Sequence, residues 1–302
     1  MTATTSDQVL ATSGSQQPRR HRSRSFNSST KWGLAARYVL LVVVLVITVG
    51  PMVWELSTSL KSLSEDVYTT TPSFLPQHPT LSNYGRVAQV IPVVKFAGNS
   101  IIVAILDVGG NVLGASIAGF ALARLNFRGR KLVLGVFLST LVLPAEVTIV
   151  SQFQTITNLG LGNTLLGVAL PNMIGAINVL LMRNAFQAIP QEIDSAAILD
   201  GANVWQRLRY IGFPAVKGIL SVVAILSFIG AWDDFLWPLL VLQDPSKLTL
   251  TVGLAYLQSS QFSVDPRTLA AGTMIALLPI LALFLALQRF FFRGVGEGAV
   301  KG

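Results

Sequence analysis

Few side chains in this sequence are equipped for covalent chemistry. There is no Cys and there are two His, His21 and His78, which excludes disulfides, thiol nucleophiles, thiolate metal sites and histidine clusters of ordinary size. What remains is hydrogen-bond chemistry set inside long apolar stretches: Asp107; Pro144 with Glu146; Pro171 with Asn172 and Asn178; and Trp232, Asp233, Asp234, Trp237 and Pro238. A charge or amide is expensive in such a place unless it faces a cavity or a partner, and prolines that break helices free carbonyls which can exchange hydrogen bonds with a solute. Such places suit a gated, water-filled path, and Asn172, Asn178, Trp232 and Asp233 are its candidate residues, with Asp107 and Trp237 beside them. Two alternatives stay open: Asp107 pairs or stays protonated in the interior, and Trp237 is a structural anchor, the reading favoured for a tryptophan at a span end.

The elements that must position these residues follow from composition. Of 302 residues, 52% are hydrophobic and 12% charged, and the mean hydropathy is +0.61. The charged share is about half that of an ordinary soluble domain. Six apolar stretches approach the length of about 20 residues that a membrane helix needs; they run over 38–56, 96–122, 132–150, 164–182, 216–240 and 269–290. The expectation is an all-α polytopic membrane protein with six transmembrane helices. Of the 22 Lys and Arg, 17 fall in the tail and loops that share a side with the N-terminus and 5 in the others, which places both termini in the cytoplasm. The net charge of +8 is explained by this topology rather than by nucleic acid. Residues 1–30, rich in Ser, Thr, Gln and Arg, read as a disordered tail, and 31–302 as the membrane domain. The second span carries Gly109, Gly110, Gly114, Ala118 and Gly119, small residues that let another helix approach closely.

The inner loop 183–213 holds a further pattern. Pro190 can open a helix, Asp200-Gly201 can turn the chain, and Val204, Leu208 and Ile211 recur at helical spacing before Pro214. This predicts a short helix, a turn and an amphipathic helix lying on the cytoplasmic face, and a membrane-surface helix is one reading of it. The cluster Ser195-Ala196-Ala197-Ile198-Leu199-Asp200-Gly201-Ala202 is small and weakly apolar, better suited to a protein cleft than to lipid.

That cluster resembles the Glu-Ala-Ala, three residues, Gly motif in the cytoplasmic loop of ABC importer permeases, with Ser195 where the family has Glu. Asp194 and Glu192 are nearby acids, but Asp194 lies about 100° away around an ideal helix. Ala121-Leu122-Ala123-Arg124-Leu125, Leu159-Gly160-Leu161-Gly162-Asn163-Thr164, the segment Gly230 to Leu239, and the ending from Arg293 to Gly302 narrow the resemblance to the carbohydrate-uptake branch, similar to the smaller maltose permease subunit.

The resemblance implies a type I importer permease in a prokaryotic inner membrane. It would pair with a second permease subunit, two cytoplasmic ATPase subunits and an extracytoplasmic solute-binding protein, and would carry a di- or oligosaccharide. No phosphate-binding Gly-x-x-x-x-Gly-Lys-Ser/Thr run occurs in the chain, so ATP and Mg belong to the ATPase subunits, this chain binds no cofactor, and it is not an enzyme alone. Ser195, Ala196, Ala197, Asp200, Gly201, Ala202, Trp205 and Arg207 would couple to the ATPase, and the tail 294–302 either reaches it or is a frayed end. Loops 57–95 and 243–267 would meet the binding protein. Two rivals remain: the same importer class carrying glycerol 3-phosphate or glycerophosphodiesters, which the lack of a mid-span Lys or Arg disfavours, and an ion-coupled secondary transporter.

Overall fold

The computed structural model describes residues 31–67, 69, 73–258 and 265–299; the expected tail 1–30 and residues 300–302 lie outside them. All regular structure among the described residues is helical. Helix α1, Lys31–Leu60, runs unbroken through Pro51. Contacts divide the chain at that proline into two units. In the first, every apolar side chain from Tyr38 to Ile47 is exposed, as befits a helix whose solvent is lipid rather than protein.

The second unit begins at Met52. After α2 (Ser82–Val90), a single long helix covers Val93–Arg124 as α3 (Val93–Gly110), a π turn (Asn111–Ala115) and α4 (Ser116–Arg124). Then come α5 (Arg130–Thr140), α6 (Ala145–Asn158), α7 (Leu165–Ala169) with a 3-10 turn (Leu170–Asn172), and α8 (Ala176–Gln187). The remainder is α9 (Gln191–Leu199), α10 (Val204–Gln206), a second π turn (Arg207–Gly212), α11 (Phe213–Ala215), α12 (Lys217–Asp233), α13 (Leu236–Val241), a 3-10 turn (Pro245–Lys247), α14 (Leu250–Leu257) and α15 (Pro266–Ala299).

Among the described residues, three helices are long and apolar enough to cross a membrane, and five if each bent pair is one span; the pairs bend by 47° at 172–176 and by 84° at 215–217. The expected third span, 132–150, is divided between α5 and α6, because Pro144 lacks the N–H to continue a helix and instead caps α6 in extended geometry, φ −59 and ψ 134. The fifth breaks after α12, where Asp234 is extended. The outer segment 243–267 is not all loop: α14 lies within it and buries Leu250, Val252, Gly253 and Leu257. Gly253 makes that possible, since a Cβ there would sit 2.1 Å from the Phe96 ring.

Helix α12 packs against α3, α8 and α15, and α4 against α8. The small residues of the second span do what their spacing predicts. A Cβ on Gly110 would lie 2.6 Å from Met173 Cβ, one on Gly114 2.7 Å from Ile174, and one on Gly119 2.7 Å from Met182 Cβ. The π turn lies between Gly110 and Gly119 and takes up one residue, and all three glycines face residues 173–182.

Candidate functional site

The loop 183–213 is built by local rules that make it rigid. Pro190 caps α9 in extended geometry, and Glu192 and Asp194 occupy its first turn, where the helix dipole favours acids. At the other end the N–H of Gly201 donates to Ile198 O (3.0 Å) and that of Ala202 to Ala197 O (2.9 Å), the paired bonds of a Schellman closure. That closure requires a left-handed residue, and Gly201 supplies it at φ +80. The next helix opens at once with a capping box: Gln206 N–H donates to Asn203 Oδ1 (2.9 Å) and Asn203 N–H to Gln206 Oε1 (2.8 Å). The helix then continues through the second π turn and past Pro214 to Ala215, one residue beyond the expected stop, before the chain turns by 84° into α12. An amphipathic helix meeting a span at that angle lies across the span's end.

Buried polar contacts fasten this hairpin to the helices behind it. Arg207, expected among the residues that couple to the ATPase, is turned inward: its guanidinium pairs with both carboxylate oxygens of Asp194, Nε to Oδ1 at 2.9 Å, and lies 5.9 Å from the Phe120 ring centroid. Asp194 is thereby committed to α9's own neighbour and does not stand in for the acid that Ser195 replaces. Phe120 meets Phe186 edge to face at 5.3 Å. Arg124 donates from Nε and Nη2 to Phe186 O (3.0 and 2.6 Å) and from Nη2 to Ile189 O, so a cation caps the C-terminal carbonyls of α8.

The hairpin leaves several large apolar side chains outside. Leu199 is 88% exposed, Tyr210 69% and Trp205 65%, with Ile198 beside them. Ser195, Ala196, Asp200 and Gly201 are exposed, Ala197 and Ala202 half-buried. A depression of about 290 Å³ is lined by Asp200, Gly201, Ala202, Gln206, Tyr210 and Ile211. Exposed aromatics around a shallow hollow on a rigid frame are what an anchor-type protein interface looks like before its partner arrives.

The candidate path residues divide into two groups. Asn178 is buried in a network centred on Asn111, whose Nδ2 donates to Asp107 O (3.0 Å) and Asn172 O (2.8 Å) and whose Oδ1 accepts from Gly175 N–H (2.8 Å) and Asn178 Nδ2 (2.9 Å). Asn178 also reaches Ser227 Oγ (3.1 Å). The network satisfies the backbone opened at the 172–176 bend and ties α3, α8 and α12 together. Asp107 is buried beside it, with Oδ1 lacking a partner among the described residues. Trp232 donates Nε1–H to Ala276 O (3.0 Å) and stacks on Phe228 at 5.6 Å; Trp237 donates to Val168 O (3.1 Å), a carbonyl that Pro171 cannot serve at 3-10 spacing. Both are buried, so Trp237 is an anchor, in the protein interior rather than at a membrane interface. Asn172 and Asp233 are exposed. Asn111, Ser227, Asn203 and the Asp194–Arg207 pair escaped the sequence reading, though Asn203-x-x-Gln206 is a legible capping box.

Loop 57–95, expected to meet the binding protein, is shaped by buried charge. Lys61 donates to Ser73 O (2.6 Å) over the Trp54 ring (4.7 Å to its centroid), and Asn83 donates to Ser59 O and Lys61 O. Glu65 accepts from the N–H groups of Ser62, Gln77 and His78, and its own carbonyl accepts from Arg267, which also pairs with Asp265 at 2.5 Å. Burial by itself would raise the Glu65 pKa, but the N–H groups of Gln77, His78 and Ser62, helped by Lys61, outweigh it and hold the carboxyl below its ordinary value. Asn163, left-handed at φ 55, accepts from Gln243 and Asp244 N–H at Oδ1 and from Lys247 Nζ at its carbonyl. Of the 5 cations expected outside, Lys61, Lys247 and Arg267 are thus engaged internally.

Among the described residues no cluster of His, Asp and Glu could hold a metal ion. Compared with known proteins, residues 110–297 match the model of the binding-protein-dependent transport system inner membrane component. The chain is 31% identical over 281 residues to the diacetylchitobiose uptake system permease protein NgcG of Streptomyces coelicolor, covering 92% of each. It is 29% identical to the galactooligosaccharides transport system permease protein GanQ of Bacillus subtilis, covering 88% of this chain and 94% of that one. In fold it is similar to a chain of a bacterial ABC transporter that imports the acidic polysaccharide alginate, with a TM-score of 0.78 at 23% identity over 88% of this chain and 99% of that one.

Proposed function

This chain belongs to the family of inner-membrane components of binding-protein-dependent transport systems, and from that premise we propose that it forms one half of a sugar pathway in an ATP-driven importer. It is a multi-pass permease, and ATP hydrolysis belongs to a separate subunit. The chain crosses the membrane six times with both termini in the cytoplasm: α5 and α6 together make the third crossing, interrupted at Pro144, α7 with α8 the fourth, and α12 with α13 the fifth. It pairs with a second permease, engages two ATPase subunits that bind ATP and Mg, and receives a di- or oligosaccharide from a solute-binding protein on the outer face. The cargo class follows the relatives, whose names specify diacetylchitobiose and galactooligosaccharides.

The observation that carries this reading is the braced hairpin of α9 to α11. Ile198, Leu199, Trp205 and Tyr210 seat in an ATPase groove, and closure of the ATPase pair displaces the hairpin as a body because Gly201, the capping box and the Asp194–Arg207 pair hold its shape. The displacement passes through Phe120, Phe186 and Arg124 to α4 and α8, and from there through the Asn111 network to α12. Two packed arrangements with different contacts to the ATPase are what such coupling requires. Ser195, Ala196, Ala197, Asp200 and Ala202 form the docking rim, and Arg207 acts by positioning.

Purification through a tag on the N-terminal tail, followed by mass spectrometry and an ATPase assay with binding protein and candidate sugars, tests the reading. A second permease and an ATPase are expected to co-purify, and sugar-loaded binding protein to stimulate hydrolysis. A chain that purifies alone and moves solute in liposomes under an ion gradient overturns it in favour of a secondary transporter.

A further inference from the structure

Helix α6 has three faces. Ile149, Phe153 and Ile156 pack into the main core, Val147 and Val150 are exposed apolar residues, and between them Thr148, Ser151, Gln152 and Thr155 repeat at i, i+3, i+4 and i+7, a single stripe of hydroxyls and one amide. The stripe lines a groove of about 360 Å³ whose other wall is Leu170 and Pro171, where α7 gives way to the 3-10 turn. That volume lies in the range of small-molecule sites, about 300–1,000 Å³. The Thr155 hydroxyl donates to Ser151 O (2.7 Å) and keeps its lone pairs for accepting. The Ser151 hydroxyl and the Gln152 carboxamide have no hydrogen-bond partner among the described residues.

Ser151 and Gln152 have no use in lipid, where an unpaired hydroxyl or amide is costly. The stripe's chemistry is also specific in what it lacks: no Asp, Glu, Lys or Arg lines the groove. A carboxamide offers a donor pair and an acceptor side by side, the complement of vicinal hydroxyls, and the apolar floor of Ile156, Leu159 and Leu170 suits the C–H face of a sugar ring. An anionic cargo would lose water there and find no cation to pair with.

We propose that this groove is a subsite for an uncharged oligosaccharide, with Ser151 and Gln152 as specificity-determining residues that favour neutral over acidic cargo. The proposal rests on the importer reading above and deepens it; in the topology given there, the groove opens in the outer half of the membrane. The other body able to cover the stripe is the second permease, and the experiment separates the two.

The complete complex, with binding protein, is reconstituted in proteoliposomes, and ATP-dependent uptake is measured with diacetylchitobiose, lactose and galactooligosaccharides as neutral probes and sulfoquinovosyl glycerol as the anionic one. Uptake of a neutral probe by the wild type is expected. No ATP-dependent uptake of any probe overturns the importer reading itself, whereas preference for the anion overturns only the subsite. Gln152→Leu is expected to raise KM for the neutral probe about tenfold with kcat within about twofold, as loss of one or two hydrogen bonds to the cargo predicts. Ser151→Ala acts in the same direction by less, and Val150→Ala leaves KM unchanged. An unchanged KM in Gln152→Leu, or loss of the second permease from that complex, overturns the proposal; the latter result makes the stripe a subunit interface.

Discussion

In the loop 183–213, Asp194 and Arg207 join one helix to the next side chain to side chain, whereas in the loop 57–95 Lys61 and Glu65 are satisfied mainly by main-chain groups, Ser73 O for the first and three N–H groups for the second. The first arrangement locks two regular elements into one body while leaving Leu199, Trp205 and Tyr210 outside. The second folds irregular chain around a buried ion, which then has no charge left to offer. Under the proposed function, the segment that transmits force is the one braced between elements, and the segment that presents a fixed shape is the one wrapped around its charges.

The largest test of that contrast is Gly201→Asp, which puts a charge on the docking rim at a left-handed position. We expect the ATPase to vanish from the purified complex, while Gly201→Asn, which tolerates positive φ, retains it. If both lose the ATPase, side-chain bulk at the rim rather than charge governs docking. Next, Arg207→Ala strands a mostly buried Asp194 and should cost on the order of 3–5 kcal/mol, seen as a lowered Tm of the detergent-solubilised complex. Replacing both partners, Asp194→Leu with Arg207→Met, should recover most of that Tm and still lower sugar-stimulated ATPase activity if the pair acts as a brace.

The outer loop answers to pH instead. Because the folded state holds the Glu65 pKa down, its stabilising contribution is complete above the ordinary glutamate value of about 4.3 and is lost as pH falls through the folded value. Hydrogen exchange at Gln77 and His78, corrected for intrinsic rates, should therefore stay slow down to the ordinary glutamate value and accelerate only below it, and Glu65→Gln should remove that step. The inner hairpin should show no such step at Ala202 if the contrast holds. The smallest effect is expected from Asn203→Ala, which opens the capping box at a cost of about 1 kcal/mol, measurable as a slight fall in Tm.

Much of this was legible in the sequence because one-dimensional patterns report local structure. Apolar length located the helices, the glycines of the second span announced close packing, and Asp200-Gly201 announced a turn. Charge asymmetry and apolar runs do not encode where a helix breaks within the bilayer, so the division at Pro144 and the bend after Asn172 were visible only as prolines. Nor does sequence show which way a long side chain points. Arg207 reads as a surface cation on an amphipathic helix, and only the meeting of α9, α4 and the second π turn turns it inward. Asn111, between glycines and apolar residues, carries no pattern at all; its role exists only where three helices cross.

The π turn at Asn111–Ala115 fixes the phase of everything after it. Wound as ordinary α-helix with the same number of residues, the helix would still be long enough to cross the bilayer, yet every later side chain would move on by one register, about 100° around the axis. Ala118 would arrive where Gly119 now sits, a position in which even a Cβ lies 2.7 Å from Met182, and Arg124 would swing away from the carbonyls it caps. Length and hydrophobicity would survive such a rewinding, and the register of α4 against α8 would not.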